Sequence, residues 1–215
     1  MTSIFEEYTK KKEREAEERK ASIAYSDYID TLIGAVGIPC ETLDVRPFYL
    51  EDMLKDFEKC YDLEVNPDFQ RGHVWSIEQK IAYIENMIRG AIGTSGRIIS
   101  FNCPSYKIKP TGEESDIPNM VCIDGLQRLT ALREFLKGDF KVFKHINPEN
   151  GGVGPDFFEG TRRSLGRVGS GIQFQIFDML KKRDVLDYYI AFNSAGTAHT
   201  REELERVIKM RMELE

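Results

Sequence analysis

Three short pieces of the chain carry residue types that could act on a phosphate. The most suggestive is Ile123-Asp124-Gly125-Leu126-Gln127-Arg128. A strand is expected to end at Asp124, and Gly125 allows a tight turn or a close backbone approach. A helix starting at Leu126 would present main-chain N–H groups that lack intrahelical partners, at the positive end of its dipole. Arg128 in the first turn adds a planar donor fork suited to phosphate oxygens. A helix start after a glycine turn, with an arginine beside it, is a ready anion site. The Asp124 carboxylate is placed to hold a divalent ion, expected as Mg²⁺, or to orient an attacking water. Asp124, Gln127 and Arg128 are therefore the candidate catalytic residues, with Asp124 the candidate metal ligand. The structural alternative is that Asp124 caps the helix and Arg128 pairs with Glu134 or another acid.

The other two pieces could complete such a site. Asn66-Pro67-Asp68-Phe69-Gln70-Arg71-Gly72-His73-Val74-Trp75 offers Gln70, and Arg71 as a second phosphate-facing cation. Trp75, the only tryptophan, is either core or the anchor of the loop that carries Arg71. His73 titrates near neutral pH when unperturbed, or is simply solvated. Phe192-Asn193-Ser194-Ala195-Gly196-Thr197 offers Asn193, whose amide both donates and accepts. Gly196 permits a left-handed turn beside it; the plain alternative is a turn leading into a helix. Neither a Walker A lysine loop nor G-x-G-x-x-G is present, so this is no standard P-loop or Rossmann site.

The elements around these pieces follow from periodicity and punctuation. Residues 6–20 (EEYTKKKEREAEERK) are strong helix formers with almost no apolar stripe. They read as a solvated helix, a frayed tail or a partner-binding arm. Ser22 to Val36 then carries apolar residues at mostly helical spacing, ended by Gly34 and Gly37. A short extended piece at Leu43 and Val45 leads to a helix over Tyr49–Tyr61, with Leu50, Met53, Leu54, Phe57 and Cys60 on one face. Ser76 and Gln79 form a capping-box signature for a helix over Ile77–Gly90. Arg97–Cys103 and Met120–Ile123 read as strands, Leu126–Leu136 as a helix and Phe140–Phe143 as one more strand. Seven glycines within residues 151–171 exclude regular structure throughout that stretch. Gln173–Phe177 alternates like a strand, and Thr200 caps a final helix from Arg201 to about Leu214. The domain division expected is a charged helical arm over 1–24 and a domain over 25–215.

Composition narrows the function classes. The 215 residues carry 30 Lys+Arg against 36 Asp+Glu, a net charge of −6. That excludes a histone-like coat of positive charge, though not a local basic surface. Arg162, Arg163, Arg167, Lys181, Lys182 and Arg183 would form such a surface toward DNA. No apolar run approaches the roughly 20 residues of a membrane span, and the N-terminus lacks a signal pattern. A cytoplasmic location follows as an expectation. Cys40, Cys60, Cys103 and Cys122 are widely spaced without a C-x-x-C pair, so buried free thiols are expected rather than disulfides or a zinc site.

Taken together, N-P-x-x-Q-R-x-x-V-W, I-D-G-x-Q-R-L-T-A-L and F-N-x-x-G-T resemble the ParB/sulfiredoxin-like domain at the N-terminus of GmrSD-type modification-dependent restriction enzymes. The matching residues are Asn66-Pro67, Gln70-Arg71, Val74-Trp75, Ile123–Leu132, Phe192-Asn193 and Gly196-Thr197, within roughly 43–210. The resemblance implies an α+β fold with a small mixed sheet surrounded by helices. It also implies nucleoside triphosphate binding and usually hydrolysis. The family's D-G-Q-Q-R maps onto Asp124, Gly125, Leu126, Gln127 and Arg128, and the broader G-x-x-R pattern gives Gly125 and Arg128 triphosphate contacts. Gln70, Arg71, Asn193, Gly196 and Thr197 join them as nucleotide-binding candidates. The first Gln of the motif is Leu126 here, a departure that bears on hydrolysis. The His-containing nuclease domain that follows in such enzymes has no counterpart before Glu215, and His73, His145 and His199 are scattered. Three functions are therefore expected in order: a nucleotide-hydrolysing domain in restriction, anti-restriction or phage–host conflict; a non-catalytic nucleotide-gated module binding DNA or, through its arm, a protein; and a DNA-nicking nuclease.

Overall fold

The structure is a computed structural model that describes residues 4–33, 36–70, 75–107, 114–144, 171–194 and 201–214. The chain divides into two compact units, Met1–Val36 and Gly37–Glu215. The first unit is one helix, α1 (Ile4–Ile33). Its charged half is laced by i,i+3 and i,i+4 ion pairs, Lys12–Glu15 at 3.0 Å and Arg14–Glu18 at 3.5 Å. Such pairs support an exposed helix. Ser22 does not interrupt it, so the two helical patterns in the sequence are one element. In its second half Ile23, Tyr25, Tyr28, Leu32 and Ile33 are all exposed.

The second unit contains β1 (Glu41–Val45), α2 (Leu50–Tyr61), α3 (Ile77–Ile88), β2 (Ile98–Asn102), β3 (Val121–Asp124), α4 (Leu126–Lys137), β4 (Ile172–Phe177), α5 (Lys182–Ser194) and α6 (Arg201–Met212). Four strands form one sheet in the order β1-β4-β2-β3. The β4–β2 pair is parallel, while β1–β4 and β2–β3 are antiparallel. The architecture is the expected small mixed sheet with helices, an α+β fold. No helix among the described residues is long and apolar enough to cross a membrane.

Strand alternation gives the sheet two unlike faces. On one, Ile99, Phe101, Cys122, Ile172, Phe174 and Ile176 meet Leu50, Leu54 and Phe57 of α2, Ile84 and Met87 of α3, and Leu129, Leu132 and Phe135 of α4. Its centre is a ring triad, with Phe101–Phe174 at 4.9 Å, Phe57–Phe101 at 5.8 Å and Phe57–Phe174 at 6.0 Å. The other face carries Phe177, packed at 4.7 Å on Tyr188 of α5. It also carries two buried polar residues of β2, Ser100 and Asn102. The Asn102 amide donates to the Met179 carbonyl at 3.1 Å and accepts from the Met179 N–H at 2.9 Å. The chain entering α5 is thereby tied to the sheet.

The capping signal of the sequence holds at α3, while Thr200 lies outside the described residues. The Ser76 hydroxyl accepts from the Gln79 N–H, and the Gln79 side chain accepts from the Ser76 N–H at 2.8 Å, a complete capping box. Three expectations need correction. Phe140–Phe143 makes no strand: Phe143 sits at a φ of +52°, which breaks a pleated run. Its apolar side chains are buried regardless, so burial rather than alternation set the pattern. Cys60 is exposed although it lies near the apolar stripe of α2, and Cys40 is half-buried; only Cys103 and Cys122 are buried thiols. Asn193 does not lie in a turn that leads into a helix; it lies inside α5.

Candidate functional site

The site is built where β2 and β3 part. Their ladder pairs Phe101 with Cys122 and then Ser100 with Asp124, which leaves Ile123 as an extra residue. Bulges of this kind re-aim the side chain beyond them. Asp124 consequently shares the polar face with Ser100 rather than the apolar face with Cys122. Gly125 then turns the chain at a φ of +93°. A Cβ at this position would lie 3.1 Å from the Ile99 Cα and 3.2 Å from the Arg128 Nη2. Glycine is required both by conformation and by space. The N-cap of α4 is Gly125, which has no side chain to cap the helix.

Arg128 is held in place from both strands. Its Nε donates to the Ile98 carbonyl at 3.1 Å, and its Nη2 donates to the Asp124 carboxylate. Side-chain exposures are 20% for Arg128 and 14% for Asp124, so both are reachable from one side only. The alternative partner Glu134 is taken by Lys80 at 2.7 Å. Behind the pair stands Tyr188 of α5. Burial pushes its hydroxyl above the usual tyrosine range; Asp124 adds to that shift and Arg128 opposes it. Ser100 Oγ is fully buried and closes no hydrogen bond among the described residues. On α3, burial raises Tyr83 to about 12, against the pull of Arg128 and Arg97. Burial likewise raises the Cys122 thiol, with Asp124 adding to the effect.

Two further motif residues reach the same strand and helix. Gln70 Nε2 donates to the Cys122 carbonyl at 3.1 Å. Gln127 Oε1 accepts from the Trp75 main-chain N–H at 3.1 Å. Trp75 is half-buried with its ring 5.3 Å from Tyr83, so it packs on the core. The structure therefore gathers Gln70, Asp124, Gly125, Gln127 and Arg128. Asn193 is buried and donates to the Tyr189 carbonyl of its own helix at 2.8 Å. Arg71, His73, Gly196, Thr197, Arg162, Arg163 and Arg167 lie outside the described residues. Of the remaining basic candidates, Lys181 is exposed, Lys182 pairs with Asp68 at 2.8 Å, and Arg183 lies 3.8 Å from Asp187.

Sequence reasoning missed Arg206. From α6 its guanidinium donates to three successive carbonyls, Asp68 at 2.8 Å, Phe69 at 3.0 Å and Gln70 at 3.2 Å. It fixes the backbone that presents Gln70. An arginine in a charged helix carries no sequence signal for carbonyl partners far away in the chain. Tyr188 and Ser100 were missed because a tyrosine in an apolar run and a serine in a strand read as ordinary packing.

Among the described residues, Asp124 is the carboxylate paired with Arg128. Among the described residues no group of three or more His, Cys, Asp or Glu side chains could hold a metal. Mg²⁺ needs few protein ligands when phosphates supply the others. The donor set thus fits a metal that arrives with a phosphate, and does not form a cage of its own. A family model described as "GmrSD restriction endonuclease, N-terminal domain" matches residues 50–208. No curated protein and no solved structure matches the chain.

Proposed function

Because the chain belongs to the family of GmrSD restriction endonuclease N-terminal domains, we propose that it binds a nucleoside triphosphate in a DNA-restriction setting and hydrolyses it. The observation that carries this reading is the start of α4 behind the left-handed Gly125, with Arg128 locked beside it. A preorganised guanidinium at a helix start needs no rearrangement to meet a phosphate, which is where such groups act most strongly. Arg128 still has Nη1 outside its bonds to Ile98 and Asp124. Gln127 and Gln70 border the same point, and Arg71, Asn193, Gly196 and Thr197 would complete the pocket. Mg²⁺, when bound with the phosphates, would neutralise their charge, and Asp124 would orient it or the attacking water. Leu126 is 3% exposed and packed in the core. Its side chain is therefore turned away from the phosphate, which supports turnover despite the departure from the family motif.

One observation favours a second reading, a nucleotide-gated module without turnover: the Asp124 carboxylate is already committed to Arg128. In that reading the partners are DNA, through the basic candidates named above, or a protein on α1. DNA affinity would then fall steeply with salt.

A thermal-shift series with the four NTPs and Mg²⁺, followed by phosphate release, separates these readings. A ligand specific to the folded state raises the melting temperature. Arg128→Lys keeps the charge but loses the fork, and should abolish both signals. A shift without phosphate release selects the gated module. No shift with any NTP overturns nucleotide binding.

A further inference from the structure

A cleft of about 270 Å³ opens beside β3, close under the size of drug-sized sites. It has room for one heterocycle rather than for a peptide. Its apolar walls come from Phe69, Ile117 and Val121. Phe69 is fixed by an edge-on contact with Tyr189 at 5.6 Å. Two polar groups of the cleft have no work within the fold: the Glu64 carboxylate and the Asn119 carboxamide make no ion pair or side-chain hydrogen bond among the described residues. The other polar groups are occupied. Lys182 Nζ holds Asp68 at 2.8 Å, and the Lys182 N–H donates to Asp116 at 2.7 Å.

The cleft lies in line with the phosphate-facing site. Glu64 bridges to Val121 at one end of β3, Gln70 reaches Cys122 in the middle, and Asp124 closes the strand. Val121 to Asp124 is about 10 Å of strand. Along α5 the step from Lys182 at the cleft to Tyr188 behind Asp124 is about 9 Å of helix. That is the scale separating a nucleotide's base from its outer phosphates.

We propose that this cleft receives the base of the bound nucleotide, with Asn119 and Glu64 as the groups that read it. The inference rests on the nucleotide reading above and names its specificity. A carboxylate can only accept, so Glu64 requires a base edge that donates. Every common base offers one, at the exocyclic amine of adenine, cytosine and guanine or at the N3–H of uracil, whereas inorganic tripolyphosphate offers none. A carboxamide can pair two-pronged with a base edge that offers both a donor and an acceptor.

The experiment titrates the full chain, with Mg²⁺, against ATP, CTP, GTP, UTP, inorganic tripolyphosphate and the free nucleosides. At least one NTP should bind about tenfold tighter than tripolyphosphate, the scale of one charged hydrogen bond. Glu64→Gln and Asn119→Ala should erase that preference while leaving tripolyphosphate affinity and melting temperature unchanged. Equal affinity for all triphosphates, or a preference that survives both variants, overturns the proposal. If no phosphate ligand binds, the nucleotide reading fails by itself. Nucleoside binding lost in Asn119→Ala would then still uphold the cleft, and no nucleoside binding would sink it too.

Discussion

The two faces of the sheet solve different problems. Under α2, α3 and α4 the contacts are aromatic and aliphatic, and the ring triad Phe57, Phe101 and Phe174 fills the centre. Under α5 the same strands bury Ser100 and Asn102, and Tyr188 reaches in with its hydroxyl. Close packing of the first kind is what holds a small sheet together. Buried polar groups of the second kind weaken a core unless each finds a partner. A face that keeps an unpartnered hydroxyl next to an ion pair is shaped by something other than stability. The bulge at Ile123 delivers Asp124 to this second face and not to the first.

Three measurements can break or sharpen that division. Phe174→Ala should cost the most, about 4 kcal/mol in chemical denaturation, through lost burial and the cavity left behind. It should leave the nucleotide affinity of the folded fraction unchanged. A weakened affinity there would mean the faces are not separate. Next is alkaline stability. Tyr83 has its folded pKa raised to about 12, so its contribution is intact below pH 10. It should be lost as pH climbs from about 10 to about 12, by roughly 3 kcal/mol. Tyr83→Phe should flatten that part of the pH–stability curve, at a cost near neutral pH of about 1 kcal/mol for the bond to the Gly96 carbonyl. The smallest effect is expected at the polar face itself. Ser100→Ala deletes a buried hydroxyl without a partner and should raise stability by about 1 kcal/mol. A loss instead would show that Tyr188 holds that hydroxyl, and the faces would differ less than described.

What the sequence made legible was local. The capping box at Ser76 and Gln79, the stripes of α2, α3 and α4, and the strand–glycine–helix step at Asp124 depend on residues a few positions apart. The site was legible to the same extent: Gln70, Asp124, Gly125, Gln127 and Arg128 do come together. The partner of Arg128 was less so. Asp124 lies four residues back but outside the helix, where helical spacing gives no guidance; only the turn at Gly125 brings it round. Phe140–Phe143 misled because a buried irregular segment and a strand share the same apolar alternation. The central place of β4, late in the chain yet between β1 and β2, follows from pairings that no window of sequence contains.

The clasp of Arg206 on the carbonyls of Asp68, Phe69 and Gln70 spans 136 to 138 residues of chain. Contacts of that separation form late, because a long loop must close before they reward it. On the ribosome, a nascent chain that has not yet reached α6 already contains every motif residue. It still lacks the guanidinium that sets Gln70 against β3. Assembly of the site therefore waits for α6, and binding competence should appear with that helix rather than grow with chain length.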